Sequence, residues 1–151
     1  MSTQNPVSKS HAALLLDNQL CFALYSTSLA MTKLYKSLLS ELGLTYPQYL
    51  VMLVLWEQDD VTVTALGECL FLDSGTLTPL LKRMEAADLL VRTRSTQDER
   101  RVQIALTAAG RKLKARAAKV PECVLSATHL SIPEVMALTK KVQALRRQLG
   151  T

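Results

Sequence analysis

The chain has 151 residues, of which 48% are apolar and only 5% aromatic, and it carries a net charge of +5. This length and apolar content suffice for one domain with its own core, and the scarcity of aromatic residues favours a Leu-rich helical protein over a β-sandwich. No apolar run approaches the roughly 18 residues that a membrane span needs, and the polar start of the chain is unlike a signal peptide. We therefore expect a soluble, cytoplasmic protein that does not enter a membrane.

The first third of the chain is predicted to be helical after a short arm. Residues 1–11 are polar and are predicted to form a disordered arm. Residues 14–42 contain neither Gly nor Pro, and their leucines recur at helical spacing, which predicts one long helix or two helices nearly in line. Gly43 ends this helix, and residues 45–47 open the next one, which is expected to reach about Gln58.

A helix-turn-helix is predicted next. Thr62 has the hydroxyl side chain of an N-cap and predicts a short helix over residues 63–70. Asp73 with Ser74 caps a longer helix that runs to about Asp88. The predicted buried stripe of the longer helix comprises Leu77, Leu80, Leu81 and Met84.

The hydrophobic period then changes from 3.6 to 2. Apolar and polar residues alternate over residues 89–94 and again over 101–106, which predicts a β-hairpin with a polar, basic tip. Thr107 caps a last helical region, which Pro121 is expected to interrupt, and a final amphipathic helix begins near Ser131.

This order of elements predicts a mainly helical fold with a small hairpin wing. Residues 12–151 are expected to form one domain, with a winged helix-turn-helix at about 47–107 and dimerisation helices at about 12–43 and 108–149. In a helix-turn-helix protein the second helix contacts DNA, here the helix that begins at Ser74 and is called the reading helix. A homodimer presents two reading helices about 34 Å apart, which is one turn of DNA, and therefore suits an operator with inverted repeats. The alternative is that the terminal helices pack within one chain. The predicted dimer interface comprises Leu14–Leu20 and Val135–Leu149.

Positive charge is concentrated between residues 82 and 119. This segment has eleven basic and four acidic residues, a net charge of +7, so the rest of the chain carries −2. A local basic region predicts a polyanionic partner, although a solvated helix face would have the same composition. The start of the second helix is small and polar enough to approach base edges in the major groove, and the hairpin arginines can follow the backbone or enter the minor groove. The predicted DNA-binding residues are Asp73, Ser74, Gly75, Thr76, Thr78, Lys82, Arg83, Arg92, Arg94, Asp98, Arg100 and Arg101.

Three cysteines, Cys21, Cys69 and Cys123, are widely spaced and form no C-x-x-C pair. The two histidines have no ligand spacing around them, so neither a metal site nor a cofactor is expected. Cys69 lies on or beside the apolar face of the short helix and is predicted to be a core residue. Three cysteines in a cytosolic chain are not expected to form a structural disulfide scaffold, so one of them could be a reactive thiol.

Several stretches of the chain carry a resemblance to a known family. They are residues 18–25, 45–50 and 72–85, together with 98–101 at the wing and 106–110 after it. With the order of helices around them, they resemble the MarR family of bacterial repressors, and within it the organic hydroperoxide sensor branch, OhrR. The first and third stretches are the specific ones, since a wing with Asp and Arg is common to the wider family.

The resemblance covers about residues 16–149 and implies a dimeric repressor that leaves DNA when an organic hydroperoxide oxidises one cysteine. Cys21 matches that cysteine, and Tyr35 and Tyr46 match two tyrosines that hold the thiol. In one group of the family the oxidised cysteine forms a disulfide with a C-terminal cysteine of the partner subunit, for which Cys123 lies in about the right region. In the other group a small thiol reacts instead.

The residues around Cys21 can be weighed directly. A free thiol is only about 3% thiolate at neutral pH, so a sensor must stabilise the anion. No cation lies within one helical turn of Cys21, and Asp17 at i−4 would disfavour the anion, whereas Tyr25 at i+4 can donate a hydrogen bond to it. Tyr35 lies fourteen residues on, about 21 Å along a straight helix. Either the helix breaks between Cys21 and Tyr35, or the contact comes from the other subunit.

Three further hypotheses stay open from the sequence. The chain could be a MarR-type repressor that a small aromatic ligand releases, with Cys21 incidental. It could be a thiol peroxidase, although the basic winged unit would then be unexplained, and we expect no enzymatic activity. It could also be a helical interaction module that never meets DNA, for which weak and salt-insensitive DNA binding would speak.

Overall fold

The computed structural model describes residues 11–98 and 100–150, so all but the last residue of the predicted arm lies outside the described residues. Residues 11–13 are helical. The further α-helices are α1 (Leu20–Leu39), α2 (Tyr46–Glu57), α3 (Val63–Leu70), α4 (Ser74–Ala86), α5 (Ala108–Ala117), α6 (Val120–Thr128) and α7 (Ile132–Gln148). The strands are β1 (Val61–Thr62), β2 (Leu90–Arg94) and β3 (Val102–Leu106).

The first long helix begins later than the sequence predicts. Its expected start at residue 14 is wrong, because the backbone is extended at Leu15 and again at Gln19, with ψ of 137° and 114°, and α1 begins only at Leu20. The side-chain amides of Asn18 and Gln19 donate to carbonyl oxygens of the preceding turn, both at 2.7 Å. Such local side-chain bonds compete with helix formation, and no apolar periodicity reveals them.

Helix ends in the first half follow the predicted caps. The sequence places Gly43 at the end of the first helical segment, and it has a left-handed φ of 69° there. Thr45 and Gln48 form a capping box at the start of α2. Thr62 accepts a hydrogen bond from the first turn of α3, and Asp73 does the same for α4, so both predicted N-caps are confirmed.

The C-terminal helices are divided differently from the prediction. Thr107 caps α5 and Ser131 caps α7 with a capping box, as predicted. The interruption lies after Ala117 and not at Pro121, which occupies the first turn of α6. Proline is tolerated there because first-turn backbone N–H groups have no partner within the helix.

The predicted hairpin is present and gains a third strand. β2 and β3 pair antiparallel, and the two-residue β1, which alternation over so short a stretch cannot reveal, pairs with the other side of β3. Leu90, Ile104 and Leu106 face inward and are buried, whereas Val91 is exposed. The inner face of the sheet therefore packs on the core of the winged helix-turn-helix.

One hydrophobic core joins the C-terminal part of α1 to the winged unit. The predicted buried stripe of α4 is confirmed, because all four of its members are buried. The largest fully buried side chains are Leu39, Val51, Met52, Leu55, Leu66, Leu77, Leu81, Met84, Leu90 and Ile104.

Two apolar surfaces remain uncovered in the single chain. One runs from residue 14 through the N-terminal half of α1, and the other follows α7, in which no residue is buried. Leu14 is 84% exposed and Leu149 is 73% exposed. The prediction that Cys69 belongs to the core is wrong, because α3 turns Leu66 and Gly67 inward and leaves the Cys69 side chain exposed.

Among the described residues, no single helix combines the length and the apolar character that a membrane crossing needs. Taken together, the segments Leu20–Leu42 and Tyr46–Glu57 have the length and apolar composition of a membrane span, but the pair is bent by 68°.

Gly110 marks a close approach that the fold requires. A Cβ at this position would overlap the carbonyl oxygen of Leu89, and the Gly110 carbonyl accepts a hydrogen bond from Trp56 Nε1 at 3.0 Å. We expect Gly110→Ala to lower the free energy of unfolding by about 1–3 kcal/mol, measured by urea denaturation. Gly75→Ala is the control, because its Cβ meets only Asp73 Oδ1, at 3.3 Å. Equal stability of the two variants would contradict the expected crowding at Gly110.

Candidate nucleic-acid interface and thiol site

A groove of about 550 Å³ lies between α4 and the wing. Ser74, Thr78 and Lys82 line its α4 wall, and their spacing of four residues places them on one helix face. The opposite wall carries the wing arginines, namely Arg92, Arg94, Arg100 and Arg101. The structure therefore brings seven of the twelve predicted DNA-binding residues together in one basic groove.

The wing tip is a hydrogen-bonded turn with outward cations. Ser95 N–H donates to the Arg101 carbonyl at 2.8 Å, and Arg101 N–H donates to the Asp98 carbonyl at 2.9 Å. The Asp98 carboxylate accepts from Arg100 N–H at 3.0 Å. Asp98, predicted to bind DNA, is thus occupied in shaping the turn, and the turn leaves the side chains of Arg100 and Arg101 exposed.

Arg92 differs from the other three arginines of the groove. Its backbone N–H donates to Glu85 Oε2 at 2.9 Å, and its guanidinium lies 3.3 Å from Glu85 Oε1. The pKa of Glu85 is lowered, first by the hydrogen bond from the Arg92 backbone and then by the Arg92 side chain. Arg92 therefore fixes β2 against α4, and Glu85 balances part of its charge within the chain.

The start of α4 presents a short polar surface beside the groove. The Asp73 carboxylate accepts from Thr76 N–H at 2.7 Å, and this hydrogen bond lowers the pKa of Asp73. Gly75, Thr76 and Arg83 are exposed but do not line the groove. Their contact with DNA, and that of Asp73, stays a prediction from the sequence.

Three tyrosines gather where α1 meets α2. The ring centroids of Tyr35 and Tyr46 lie 4.6 Å apart. Tyr49, which is buried, lies 5.7 Å from the first ring and 6.4 Å from the second. Tyr49 was not predicted from the sequence, although it lies three residues after Tyr46 on the same predicted helix.

The hydroxyls of this tyrosine cluster hold their protons firmly. Burial, and then the neighbouring Tyr46 and Tyr49, raise the pKa of Tyr35 to about 12. Burial also raises the pKa of Tyr46. Within the described part of the chain, no hydrogen bond engages the hydroxyl of Tyr35 or Tyr46. Both are therefore available donors for an anion at neutral pH.

The cysteines lie apart from this tyrosine pair. α1 is continuous from Leu20 to Leu39, so a helix break between Cys21 and Tyr35 is excluded, and about 21 Å of helix separates them. Tyr25, one turn beyond Cys21, is 63% exposed. Cys123 is an exposed free thiol on α6, which packs against α1. Residues 11–98 and 100–150 contain no cluster of three His, Cys, Asp or Glu side chains that could hold a metal ion.

Comparison with known proteins agrees with this arrangement. The family model of the SarA/Rot transcriptional regulators matches residues 33–117. The organic hydroperoxide resistance transcriptional regulator of Bacillus subtilis is 49% identical over 134 residues, which are 89% of this chain and 91% of that protein. Reduced AbfR bound to DNA, a protein of Staphylococcus epidermidis, superposes with a TM-score of 0.77 at 32% identity and covers 93% of this chain and 98% of its own. The disulfide form of AbfR gives a TM-score of 0.62 at 34% identity, with 95% of each chain covered.

A winged helix-turn-helix with a basic groove beside its second helix defines a DNA-binding transcriptional regulator. The chain belongs to the MarR family of these regulators, in the branch of the organic hydroperoxide regulators, as its sequence suggests.

The basic groove makes a measurable prediction about salt. Arg100→Gln removes one exposed charge from the wing tip, so we expect weaker DNA binding and a slope of log affinity against log salt that is smaller by about 1. Lys112→Gln removes the same charge from α5, outside the groove, and is expected to change neither quantity. Titration of a labelled duplex at several salt concentrations measures both. An unchanged slope for Arg100→Gln would remove this residue from the interface.

The tyrosine cluster predicts alkaline behaviour. Because the pKa of Tyr35 is raised from 10.0 to about 12 in the folded chain, its contribution to stability is constant below pH 10 and is lost as pH rises towards 12. Tyr35→Phe is expected to reduce this alkaline loss, measured by denaturant unfolding at a series of pH values. Tyr25→Phe, a change at an exposed tyrosine outside the cluster, is the control. Parallel stability curves for the parent and Tyr35→Phe would contradict the prediction.

Proposed function

We propose that this protein is a homodimeric repressor that binds an operator with inverted repeats and releases it when an organic hydroperoxide oxidises Cys21. One observation carries the proposal. Tyr35 and Tyr46 present two protonated hydroxyls without a partner in the described chain, and the continuous helix α1 keeps Cys21 of the same chain out of their reach. The likeness to an organic hydroperoxide regulator supplies the class of inducer.

A second copy of the chain resolves this separation. The uncovered apolar surfaces of α1 and α7 are large for a soluble monomer, and burying them provides the driving force for association. A partner packed along α1 brings its own tyrosine pair towards Cys21. Hydrogen bonds from the hydroxyls of the partner then stabilise the Cys21 thiolate, which no cation of its own turn can do.

The chemical step is a two-electron oxidation of the thiolate. Cys21 Sγ attacks one oxygen of the hydroperoxide, an S–O bond forms and the O–O bond breaks. The leaving alkoxide takes a proton and departs as an alcohol, so the peroxide is reduced and Cys21 becomes a sulfenic acid. In this proposal the tyrosine hydroxyls of the partner supply that proton.

A second thiol then completes the switch. Cys123 of the partner subunit attacks the sulfenic sulfur of Cys21, an S–S bond forms and water leaves. Cys123 is suited to this step because it is exposed on α6, which packs on α1. AbfR has been solved both reduced on DNA and in a disulfide form, and the present chain superposes better on the reduced form. We propose that each Cys21 thiol reacts with one hydroperoxide molecule and must be reduced before it can react again. The protein is then a sensor and not an enzyme.

The test is a DNA-binding assay with cumene hydroperoxide, run with and without reductant. The DNA is a duplex that the parent protein selects from a random library. We expect the parent to release it on oxidation and to rebind it after reduction. Cys21→Ser is expected to stay bound, and Cys123→Ser is expected to lose reversible release through overoxidation. Cys69→Ser, a change at an exposed thiol that the proposal does not use, is the control and should behave as the parent.

The outcomes separate the competing hypotheses. Release that persists in Cys21→Ser would refute thiol sensing and support a repressor released by a small ligand. Non-reducing electrophoresis after oxidation should show a dimer linked through Cys21 and Cys123. A monomeric band that carries a small-thiol adduct would reassign the second step from Cys123 to that thiol.

A further inference from the structure

The end of the last helix reaches the turn of the reading unit. Arg146 lies in the last turn of α7, and its guanidinium carbon stands 4.3 Å from the ring centroid of Phe71. Phe71 is the residue that ends α3, and only Leu72 and Asp73 separate it from the start of α4. A cation over an aromatic face at this distance is an attractive contact.

Phe71 has an unusual backbone for a large side chain. Its φ of 57° and ψ of 39° lie in the left-handed region, where a bulky residue is under strain and where helix ends commonly use glycine. Phe71 is nevertheless 55% exposed, so burial in the core does not offset that strain. The left-handed turn directs the ring away from the core, towards α7.

The position of α7 gives this contact its significance. No residue of α7 is buried in the single chain, so the core does not hold this helix. α7 also follows the Cys123-bearing helix α6 after only three residues, 129–131. A contact at its far end therefore links the dimerisation helices to the turn that aims α4.

We infer that Arg146 and Phe71 are positioning residues that hold the reading helix α4 in its DNA-competent orientation. The inference rests on the DNA binding of the proposed function and not on its thiol chemistry, so a parent that ignores peroxide would leave this test intact.

The test is a double-mutant cycle in DNA affinity with the reduced full-length protein. Arg146→Gln removes the cation and Phe71→Leu removes the aromatic face. Each is expected to weaken binding of the selected duplex by about two- to fivefold, the range of an exposed cation–π contact. The double variant is expected to lose less affinity than the product of the two single losses, since both changes remove the same contact. Phe71→Tyr keeps the aromatic face and should retain the parent affinity.

Two controls separate positioning from direct DNA contact and from folding. Arg147→Gln removes the neighbouring charge of α7 and should leave affinity unchanged. The salt slope should equal that of the parent in every variant, since Arg146 touches no phosphate in this proposal. Additive losses in the double variant, parent-like affinity in both single variants, or a smaller salt slope for Arg146→Gln would each overturn the inference. Variants that lose affinity only with a matching fall in thermal midpoint would overturn it as well.

Discussion

The continuity of α1 is the constraint on which the functional arrangement depends. Twenty residues without a break form a rod of about 30 Å, with Cys21 near one end and Tyr35 near the other. The C-terminal part of this rod is anchored in the core through Leu39, while its N-terminal part carries exposed apolar side chains. Cys21 and Tyr35 therefore lie too far apart to meet within one chain, and the proposed contact between them requires a second chain.

The charged residues of the winged helix-turn-helix have two different roles. Some form ion pairs that hold its elements together, and others face the groove. Asp59 Oδ1 accepts a hydrogen bond from Leu106 N–H at 2.8 Å, and Asp59 Oδ2 lies 3.6 Å from the Arg111 guanidinium, so the end of β3 is tied to the start of α5. Glu85 ties β2 to α4 through Arg92. These partly screened pairs contribute little stability each, but they fix where the wing points. The remaining wing cations project into the groove.

Local physics explains what the sequence could predict. Caps such as Thr62 and Asp73, and the buried stripe of α4, depend on residues within one or two helical turns, so the pattern of the chain is enough to identify them. The residues that line the basic groove could also be predicted, because they lie on a predicted helix and a predicted hairpin. The three-residue spacing of Tyr46 and Tyr49 is a similar local pattern, because it places both rings on one face of α2.

Nonlocal contacts explain what the sequence could not predict. The partner of Arg92 lies on another element, and which face of α3 meets the core decides that Cys69 is exposed. The break before Leu20 depends on amide side chains that bond back across six residues. Strand β1 exists only because β3 offers it an edge. In each case the deciding interaction is made by tertiary packing or by a side chain that hydropathy patterns do not describe.

The energetics of DNA recognition show why the switch can lie far from the reading helix. A specific protein–DNA complex exceeds nonspecific binding by roughly 4–10 kcal/mol, and one base contact is worth about 1–3 kcal/mol. In the proposed dimer, losing a few contacts at one half-site is therefore enough for release, and a small change in the spacing or direction of the two α4 helices would suffice. The buried core of the winged unit need not open, and no redox-active group has to touch DNA. In the proposed mechanism, control is exerted at Cys21 and through α7, the helix in which no residue is buried.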